Sequence, residues 1–361
     1  MNRPVHGGNL AWAATVAGCS PSSIADFSAS INPLGPPESA RKAIQNNLKL
    51  LSAYPDPDYS ELRSALAEFH QLAPEWILPG NGAAELLTWA CRELSQRERT
   101  FLLVPAFGDY ERALLAFGAK VEKCLLDWRR NGRLVLSCQN VGEKPNRKVA
   151  GLLLNNPHNP TGQIWTVEAI LAYLEEFDLV VIDEAFMDFL PPDRQQSLIP
   201  WLKKYRNLII VRSLTKFYSL PGLRLGYAIA HPDFLQRWQQ WRDPWTVNVL
   251  AAAVGAAVVK DTEFQRQTWD WLIPARAKLF QGLAAIEGLQ PFPSAANFLL
   301  VETQQPSSQL QLKLLENCQI LIRDCLSFPE LGSRYFRVAV RDEAENQRLL
   351  TGLATTLNYG S

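Results

Sequence analysis

Three residues within one segment, Ser213, Lys216 and Arg224, bring a hydroxyl, an amine and a guanidinium together between two apolar runs of the chain. An amine held near apolar walls and cations loses affinity for its proton, and it then becomes a nucleophile that can form an imine with an aldehyde. The hydroxyl and the guanidinium are the donors expected for a phosphate attached to that aldehyde. The three residues therefore predict a pyridoxal phosphate site. The alternative is a surface loop in which Lys216 and Arg224 are merely solvated.

Two further polar residues could hold the ring of this cofactor, and each comes after an apolar run. Asp183 directly follows Leu179–Ile182, where its carboxylate would keep the pyridine nitrogen protonated. Asn159 lies in a turn after Val149–Leu154 and would donate to the phenolic oxygen. Taken singly, Asp183 also suits a helix cap and Asn159 an ordinary turn. Their shared placement favours a site, because active sites in open α/β sheets lie at the carboxyl ends of the strands.

The cofactor phosphate also needs backbone N–H groups at a helix N-terminus. Gly82 and Ala83 lie in a glycine-containing turn that leads into an apolar helix, so their amides are candidates. Such turns are common, and this feature is weak by itself. Phe107 follows the apolar run that ends at Val104 and is a candidate to cover the face of the ring, the alternative being a core phenylalanine.

Short apolar runs alternate with longer amphipathic stretches as far as about residue 230, which predicts buried strands interleaved with helices. The pattern favours an α/β fold with a mostly parallel sheet. The predicted strands of this sheet are Thr100–Val104, Val149–Leu154, Leu179–Ile182, Leu208–Val211 and Leu225–Ala230.

The texture of the sequence predicts an N-terminal arm (1–40), a large domain (41–248) with the cofactor site and a smaller C-terminal domain (249–361). The arm is expected to be extended to about residue 35, because it is rich in Gly, Ser, Asn and Pro. Phe69 is expected on the apolar face of a helix over Ser60–Gln71. The elements predicted outside the sheet are helices over Glu38–Leu50, Ser60–Gln71 and Val249–Ala285, and strands near Asn297–Glu302 and Tyr335–Val340.

The composition argues against several classes of partner. Lys plus Arg and Asp plus Glu both number 36, so no net field attracts nucleic acid or an anionic membrane. The most apolar run, Val249–Val259, is too short to span a bilayer, and residues 1–8 lack the apolar core of a signal peptide, which together favour a cytoplasmic enzyme. The six cysteines are scattered and only four histidines are present, so we expect reduced thiols and no metal.

Four segments resemble the aspartate-aminotransferase superfamily of pyridoxal phosphate enzymes, and the resemblance covers essentially the whole chain. Two branches compete, the histidinol-phosphate aminotransferases and the threonine-phosphate decarboxylases of cobalamin biosynthesis, and the chain is more similar to the second. The aminotransferases usually carry tyrosine where this chain has Phe186, which has no hydroxyl for the phenolic oxygen of the cofactor. The segments are His6–Asn9, Asp26–Gly35, Asp183–Phe186 and Ser213–Arg224.

The resemblance implies a fold of type I, with a mostly parallel seven-stranded sheet and a smaller α/β C-terminal domain. It also implies a homodimer with active sites at the interface, in which Tyr54 reaches the cofactor phosphate of the neighbouring subunit. Lys216 would carry the cofactor, Asp183 would pair with the ring nitrogen, and Phe107 would stack on the ring. The remaining cofactor contacts implied are Asn159 to the phenolic oxygen and Ser213, Arg224, Gly82 and Ala83 to the phosphate.

The resemblance places Arg337 on the α-carboxylate of the substrate, and Arg-carboxylate pairing is bidentate and strong. Arg323 would hold the substrate phosphate, helped by His6 and Asn32 from the arm. A salt bridge with Asp324 is the alternative role for Arg323.

The implied reaction is decarboxylation of L-threonine O-3-phosphate to (R)-1-aminopropan-2-yl phosphate and CO2, in cobalamin biosynthesis. If the α-hydrogen rather than the carboxylate were aligned with the ring electrons, the same residues would perform transamination, so a histidinol-phosphate aminotransferase using 2-oxoglutarate and glutamate is the alternative. A binding protein without catalysis is the third hypothesis, but it would have no need for a reactive lysine beside Asp183 and Arg224.

Overall fold

A large sheet of eight strands forms the centre of the computed structural model, which describes residues 4, 6–129, 137–138 and 147–358. Seven of these strands are those of the expected sheet, and a two-residue strand adds an eighth at one edge. The spatial order of the strands is β2-β9-β8-β7-β6-β3-β4-β5. Their bounds are β2 Ile77–Gly80, β3 Arg99–Val104, β4 Val121–Leu125, β5 Ser137–Cys138, β6 Ala150–Asn155, β7 Leu179–Asp183, β8 Leu208–Ser213 and β9 Gly226–Ala230, after a short first strand β1 over Ala25–Asp26.

The centre of this sheet is parallel, as the alternation of apolar runs predicts. Strands β4, β3, β6, β7 and β8 pair in parallel, whereas β9 runs antiparallel to both β8 and β2. Every residue of β6, β7 and β8 is buried, which is the pattern of a sheet covered on both faces. The register sets Asn155 beside Asp183, so polar residues meet at the carboxyl edge of the sheet.

Twelve helices are described around the sheets, and most predicted bounds agree with them to within a few residues. Phe69 is a correction, because its side chain is 42 % exposed rather than buried with the apolar face of its helix. The helices are α1 Leu10–Ala17, α2 Glu38–Asn47, α3 Ser60–His70, α4 Ala83–Ser95, α5 Gly108–Ala116, α6 Val167–Glu176, α7 Leu214–Phe217, α8 Pro232–Trp241, α9 Val249–Val258, α10 Thr262–Ala284, α11 Ser307–Cys318 and α12 Glu343–Asn358.

The N-terminal arm is not extended throughout, because α1 interrupts it. The side chain of Asn9 caps this helix by accepting from the Trp12 amide at 3.0 Å, and Gly18 ends it with φ +63°. Ala13 packs in a small core with Leu315 of α11. The apolar helix therefore has a surface on which to bury, which the Gly- and Ser-rich composition around it does not indicate.

A second, three-stranded antiparallel sheet lies in the C-terminal part of the chain. Its order is β10-β11-β13, with β10 over Leu289–Pro291, β11 over Phe298–Thr303 and β13 over Tyr335–Ala339. A short strand β12, Ile320–Leu321, pairs in parallel with β1 and ties the arm to this part. Just beyond β12, a bridge sets Arg323 opposite Arg337.

Two further observations complete the fold. Over the described part of the chain, no helix combines the length and the apolar character that a bilayer span requires. Cys124 is disulfide-bonded, which corrects the expectation that all the thiols are reduced. The antiparallel pairing of β4 with β5 sets Cys124 opposite Cys138, a proximity that their separation in the sequence does not indicate.

Candidate active site

A cavity of about 390 Å³ lies at the carboxyl ends of the central strands. Its lining combines residues of the large sheet, the N-terminal arm and the C-terminal part. The predicted site residues that line it are His6, Ala83, Phe107, Asn159, Asp183, Ser213, Lys216, Arg224, Arg323 and Arg337. The structure therefore brings most of the predicted residues to one place, although they are spread over more than 300 positions of the chain.

Lys216 projects from the short helix α7, which begins directly after β8. Ser213 caps this helix, because its hydroxyl accepts from the Thr215 amide at 3.4 Å and lies 2.8 Å from the Thr215 hydroxyl. The Lys216 Nζ lies 5.1 Å from the centroid of the Phe186 ring. The strand and the cap thus fix the amine against an aromatic wall.

The environment of Lys216 favours the neutral amine. Burial lowers its pKa, the Asp183 carboxylate opposes this change, and the guanidiniums of Arg337 and Arg224 lower the pKa further. A buried amine that gives up its proton more readily is a better nucleophile towards an aldehyde. The hypothesis drawn from its neighbours in the sequence therefore has a physical basis in the folded chain.

Asp183 ends β7 with its carboxylate inside the site. One carboxylate oxygen accepts from the Ala185 amide at 2.8 Å, and the other accepts from the Tyr110 hydroxyl at 2.6 Å. Tyr110 lies on α5 and is buried, and burial followed by the charge of Asp183 raises the pKa of its phenol. The phenol therefore stays a donor, and it holds the carboxylate in one orientation.

The turn before α4 offers a cradle for an anion. Gly82 has φ +77°, a conformation that favours glycine, and a Cβ built there would come within 2.5 Å of Arg224 Nη2. The glycine thus lets the guanidinium of Arg224 approach the first amides of the 13-residue helix α4. Amides at a helix N-terminus beside a guanidinium form a site suited to a phosphate.

Two arginines from the C-terminal part lie on the other wall. Arg337 donates to the Asn159 side-chain oxygen, and its Nη2 lies 3.4 Å from the Ser28 carbonyl oxygen, whereas its buried Nε has no partner among the described residues. Arg323 donates to the Ser327 hydroxyl at 2.5 Å. Burial lowers the pKa of Arg337 to about 10 and also lowers that of Arg323. Two neighbouring guanidiniums on one wall can bind two anionic groups of a single ligand.

Aromatic side chains close the cavity on one side. The Phe107 ring lies 5.7 Å from the ring of His6 and 5.7 Å from that of Tyr110, measured between centroids. Phe107 also packs against the core around the large sheet, so it contributes to both the site and the core. His6 is exposed at the mouth of the cavity, where the arm crosses it.

Three predicted site residues, Gly82, Asn32 and Tyr54, lie outside the lining of this cavity, although Ala83 next to Gly82 lines it. The Asn32 amide nitrogen donates to the Phe217 carbonyl at 2.8 Å and to the Thr268 hydroxyl at 2.9 Å, so its side chain supports the segment that carries Lys216. Tyr54 is 79 % exposed and its ring lies 4.6 Å from that of Trp245. A contact of Tyr54 with a neighbouring subunit stays a prediction.

Two residues that the structure adds to the site have no signal in the sequence. Tyr110 reaches Asp183 across 73 positions, a contact with no local pattern. Ser30 lines the cavity with a buried hydroxyl that has no partner among the described residues. The serine-rich composition of the arm indicates only irregular structure, so a role for Ser30 could not be read from it.

The donors and charges of this cavity fit pyridoxal phosphate. The buried amine of Lys216 suits the aldehyde, the Asp183 carboxylate suits the ring nitrogen, and the cradle at Gly82 suits the phosphate. Because the oxygen of Asn159 accepts from Arg337, its amide nitrogen is left to donate to a ring oxygen.

Comparison with known proteins agrees with this fold. Residues 22–353 match the family described as aminotransferase class I and II, and the chain belongs to this family. It is 39 % identical over 357 residues to a threonine-phosphate decarboxylase of Salmonella typhimurium, covering 98 % of this chain and 96 % of the relative. It is 31 % identical to histidinol-phosphate aminotransferase 1 of Mannheimia succiniciproducens, covering 93 % of this chain and 91 % of the relative.

A solved structure extends the comparison. The L-threonine-O-3-phosphate decarboxylase of Porphyromonas gingivalis superimposes with a TM-score of 0.80 at 26 % identity, covering 92 % of this chain and 99 % of that one. The predicted α/β fold of type I is thereby confirmed, and so is the resemblance to the branch of threonine-phosphate decarboxylases.

Proposed function

We propose that this chain is a pyridoxal phosphate enzyme that decarboxylates L-threonine O-3-phosphate to (R)-1-aminopropan-2-yl phosphate and CO2, in cobalamin biosynthesis. The observation that carries the proposal is the pair of neighbouring guanidiniums, Arg323 and Arg337, in the same cavity as the Lys216 amine. A substrate with both a carboxylate and a phosphate would offer one anionic group to each guanidinium. The identity of 39 % to a relative named for this substrate supports the same conclusion.

Histidinol-phosphate aminotransferase activity is the second candidate, because the cavity would also admit a phosphate and an amine. Two observations favour the decarboxylase. The identity to the histidinol-phosphate aminotransferase of Mannheimia succiniciproducens is 31 %, lower than that to the decarboxylase of Salmonella typhimurium. Phe186 replaces the tyrosine that the aminotransferases usually carry, and its ring faces Lys216 without offering a hydroxyl.

The cofactor would be held by residues from several elements around the carboxyl edge of the large sheet. Asp183 at the end of β7 would keep the ring nitrogen protonated, and Phe107 would cover the ring. Ser213, Arg224 and the amides that follow Gly82 would bind the phosphate. When bound, pyridoxal phosphate supplies a conjugated ring that accepts the electrons of a bond broken at the α-carbon of the substrate.

The chain's own residues would decide which bond that is. Arg337 would bind the α-carboxylate and Arg323 the phosphate, while the substrate amine takes the position of the Lys216 amine. Three fixed points determine the rotation about the α-carbon, and the bond that stands perpendicular to the ring is the one that breaks. The orientation is therefore set by where the two guanidiniums lie relative to Lys216.

Lys216 would also move a proton. The Lys216 amine lies inside the cavity, where burial lowers its pKa. An amine of this kind can hold a proton and deliver it to the α-carbon after CO2 has left. His6 at the mouth would assist by covering the site and contacting the substrate phosphate.

The direct experiment supplies the purified holoenzyme with either substrate. With L-threonine O-3-phosphate labelled at the carboxyl carbon, we expect labelled CO2 and one equivalent of aminopropanol phosphate. With histidinol phosphate and 2-oxoglutarate, we expect no glutamate above the level given by a Lys216→Ala control. Glutamate formation without CO2 release would reverse the assignment in favour of the aminotransferase.

Substrate recognition by Arg323 can be tested with one variant and two substrates. Arg323→Gln should raise the KM for threonine phosphate by about 10- to 100-fold, because a charge-assisted contact contributes roughly 1.5–3 kcal/mol. Activity on unphosphorylated L-threonine, measured by CO2 release, should change little. An equal loss on both substrates would show that Arg323 does not read the phosphate.

We also propose a homodimer in which Tyr54 reaches the partner's cofactor phosphate. An exposed apolar patch around it supports this idea, with Leu48 51 % and Leu51 63 % exposed and Trp245 beside Tyr54. The three-part division at residues 1–40, 41–248 and 249–361 and the cytoplasmic location also remain proposals.

Subunit mixing tests the shared site. Leu51→Glu should shift the mass measured by light scattering from a dimer to a monomer. Inactive Tyr54→Ala and Lys216→Ala subunits should regain part of the wild-type activity when mixed, because a mixed dimer contains one site with both native residues. No recovery in a mixture that demonstrably exchanges subunits would exclude the contribution of Tyr54.

A further inference from the structure

A second groove, of about 560 Å³, lies apart from the active-site cavity between the large sheet's connections and the C-terminal part. One wall contains Trp165, Leu190 and Arg194, which precede the boundary predicted at residue 248. The other wall contains Arg276 of α10 and Phe292, which follow it. The groove is therefore built from both halves of the chain, and none of its described lining residues belongs to the predicted cofactor site.

The charged residues described in the lining of this groove are all positive. Its described lining includes Arg129, Arg194 and Arg276 but no aspartate or glutamate. Arg129 is paired, because it lies 3.3 Å from a carboxylate oxygen of Glu302. Arg194 and Arg276 form no ion pair with any described residue, and Arg276 donates only to the Ala296 carbonyl at 2.9 Å.

The two unpaired guanidiniums oppose each other electrostatically. Burial lowers the pKa of Arg276 to about 10, and the charge of Arg194 lowers it further. Arg276 is half-buried and Arg194 is exposed, so a phosphate bound between them would meet a guanidinium on each wall of the groove. A buried donor is also left over, because the indole N–H of Trp165, a residue 1 % exposed, has no partner among the described residues.

The walls between these polar groups are apolar and aromatic. Trp128 packs edge-on against Phe292 at 4.9 Å between centroids, and Leu190 and Ile273 also line the groove. Aromatic walls with a few convergent donors are typical of sites for small organic molecules. Guanidiniums pair in a bidentate manner with phosphate.

We propose that this groove binds a small organic phosphate with an apolar body, at a site distinct from the active site. Arg194 and Arg276 hold the phosphate, and Trp165 and Phe292 contact the body. The site also touches the catalytic machinery through one turn. Thr161 and Gly162 line the groove, and Asn159 of the same turn lines the active site.

This turn connects ligand binding in the groove to the active site. The Asn156 amide, at the start of the turn, donates to the Asp183 carbonyl of β7 at 2.9 Å, and the Gly162 carbonyl accepts from the Ala295 amide at 2.7 Å. The turn is thus tied both to the sheet side and to the C-terminal wall of the groove. A ligand bound between these walls stabilises one distance between the two halves of the chain. The effect reaches Asn159 because the same turn lines both the groove and the active site.

Calorimetry on the holoenzyme tests the proposal, with phenyl phosphate as the probe. The Arg323→Gln variant weakens phosphate binding in the active site. In this variant one binding event for phenyl phosphate should remain, which is the binding in the groove. Adding Arg276→Gln or Arg194→Gln should weaken this remaining event at least about 10-fold, since a charge-assisted contact is lost. The cofactor absorbance band and CO2 release without added phosphate should be retained, because neither residue belongs to the catalytic site.

Two controls make the outcome decisive. Inorganic phosphate should bind at least about 10-fold more weakly than phenyl phosphate, since it lacks the apolar body. Arg194 makes no described side-chain contact, so its variant remains informative even if Arg276→Gln does not fold. Phenyl phosphate binding that is absent in the Arg323→Gln background, or unchanged by Arg194→Gln, would overturn the proposal.

Discussion

At the scale of residues, the site depends on contacts that fix a few polar atoms in a buried place. Asp183 is the clearest case, because its two oxygens are held by the Ala185 amide and by the Tyr110 hydroxyl. A carboxylate held in this way meets a ring nitrogen without reorganising. The retention of the cofactor should therefore be sensitive to groups that do not touch it.

Tyr110→Phe should weaken pyridoxal phosphate binding about 3- to 10-fold, because the carboxylate loses a donor whose contribution is roughly 1 kcal/mol. The dissociation constant can be measured by fluorescence titration of the cofactor-free protein. Tyr205→Phe is a matched control, since Tyr205 also donates to a carboxylate, that of Glu175 at 2.8 Å, but on the surface. Equal dissociation constants for the two variants would contradict the role of Tyr110.

The sequence identifies the residues whose chemistry is local and leaves out those that depend on tertiary contacts. Asp183 ends β7 and Lys216 lies in the short helix after β8, so their types and positions next to apolar runs were informative. Tyr110 meets Asp183 only through the packing of α5 against the sheet. Asn32 has the residue type of a ligand, but its amide is used to support the Lys216 segment. A motif indicates a residue type and cannot indicate the direction of its side chain.

At the scale of elements, the start of α4 is a structural requirement of the predicted phosphate site. Gly82 adopts φ +77° and lies where any side chain would meet Arg224. A substitution of Gly82 therefore has two effects that can be separated. One is strain in the backbone, and the other is displacement of the Arg224 guanidinium. Gly118 provides the comparison, because it has φ +70° but open space around its Cβ position.

Gly82→Ala should destabilise the protein by about 1 kcal/mol or more and reduce cofactor affinity at least about 10-fold, through strain and loss of the Arg224 contact. Gly118→Ala should show only the loss of stability. Thermal unfolding and cofactor titration on both variants separate the two effects. Normal cofactor affinity in Gly82→Ala would remove this turn from the phosphate site.

Element boundaries were predicted well where apolar runs are continuous and poorly where a proline or a cap interrupts them. Strand β2 contains Pro79 and Gly80, which favour a turn, yet it lies at the edge of the sheet, where proline is tolerated. The long helix predicted over Val249–Ala285 is two helices, because Asp261 caps the second by accepting from the Phe264 amide at 3.0 Å. The boundary at residue 248 remains a prediction.

At the scale of the whole molecule, two histidines make the stability of the protein depend on pH, the buried His158 and the half-buried His70. Burial lowers the pKa of His70 and that of His158 to about 3 each, from an ordinary value of 6.5. Below pH 6.5 the unfolded chain takes up protons that the folded chain does not. The free energy of unfolding should therefore fall as the pH drops from 6.5 towards 3.

Each histidine should contribute a slope of up to about 1.4 kcal/mol per pH unit in this window. Urea denaturation of the cofactor-free protein between pH 6.5 and 4 measures the slope. His70→Gln should reduce this slope by up to that amount. A slope unaffected by His70→Gln would show that this histidine is protonated in the folded state.

The account depends most on the buried amine of Lys216, and peptide mapping tests it directly. The purified protein, loaded with pyridoxal phosphate, is reduced with borohydride, digested and analysed by mass spectrometry. We expect the reduced cofactor on the peptide that contains Lys216, with none on the other lysines and none in Lys216→Ala. Attachment at a different lysine, or a protein that carries no cofactor after loading, would contradict the account.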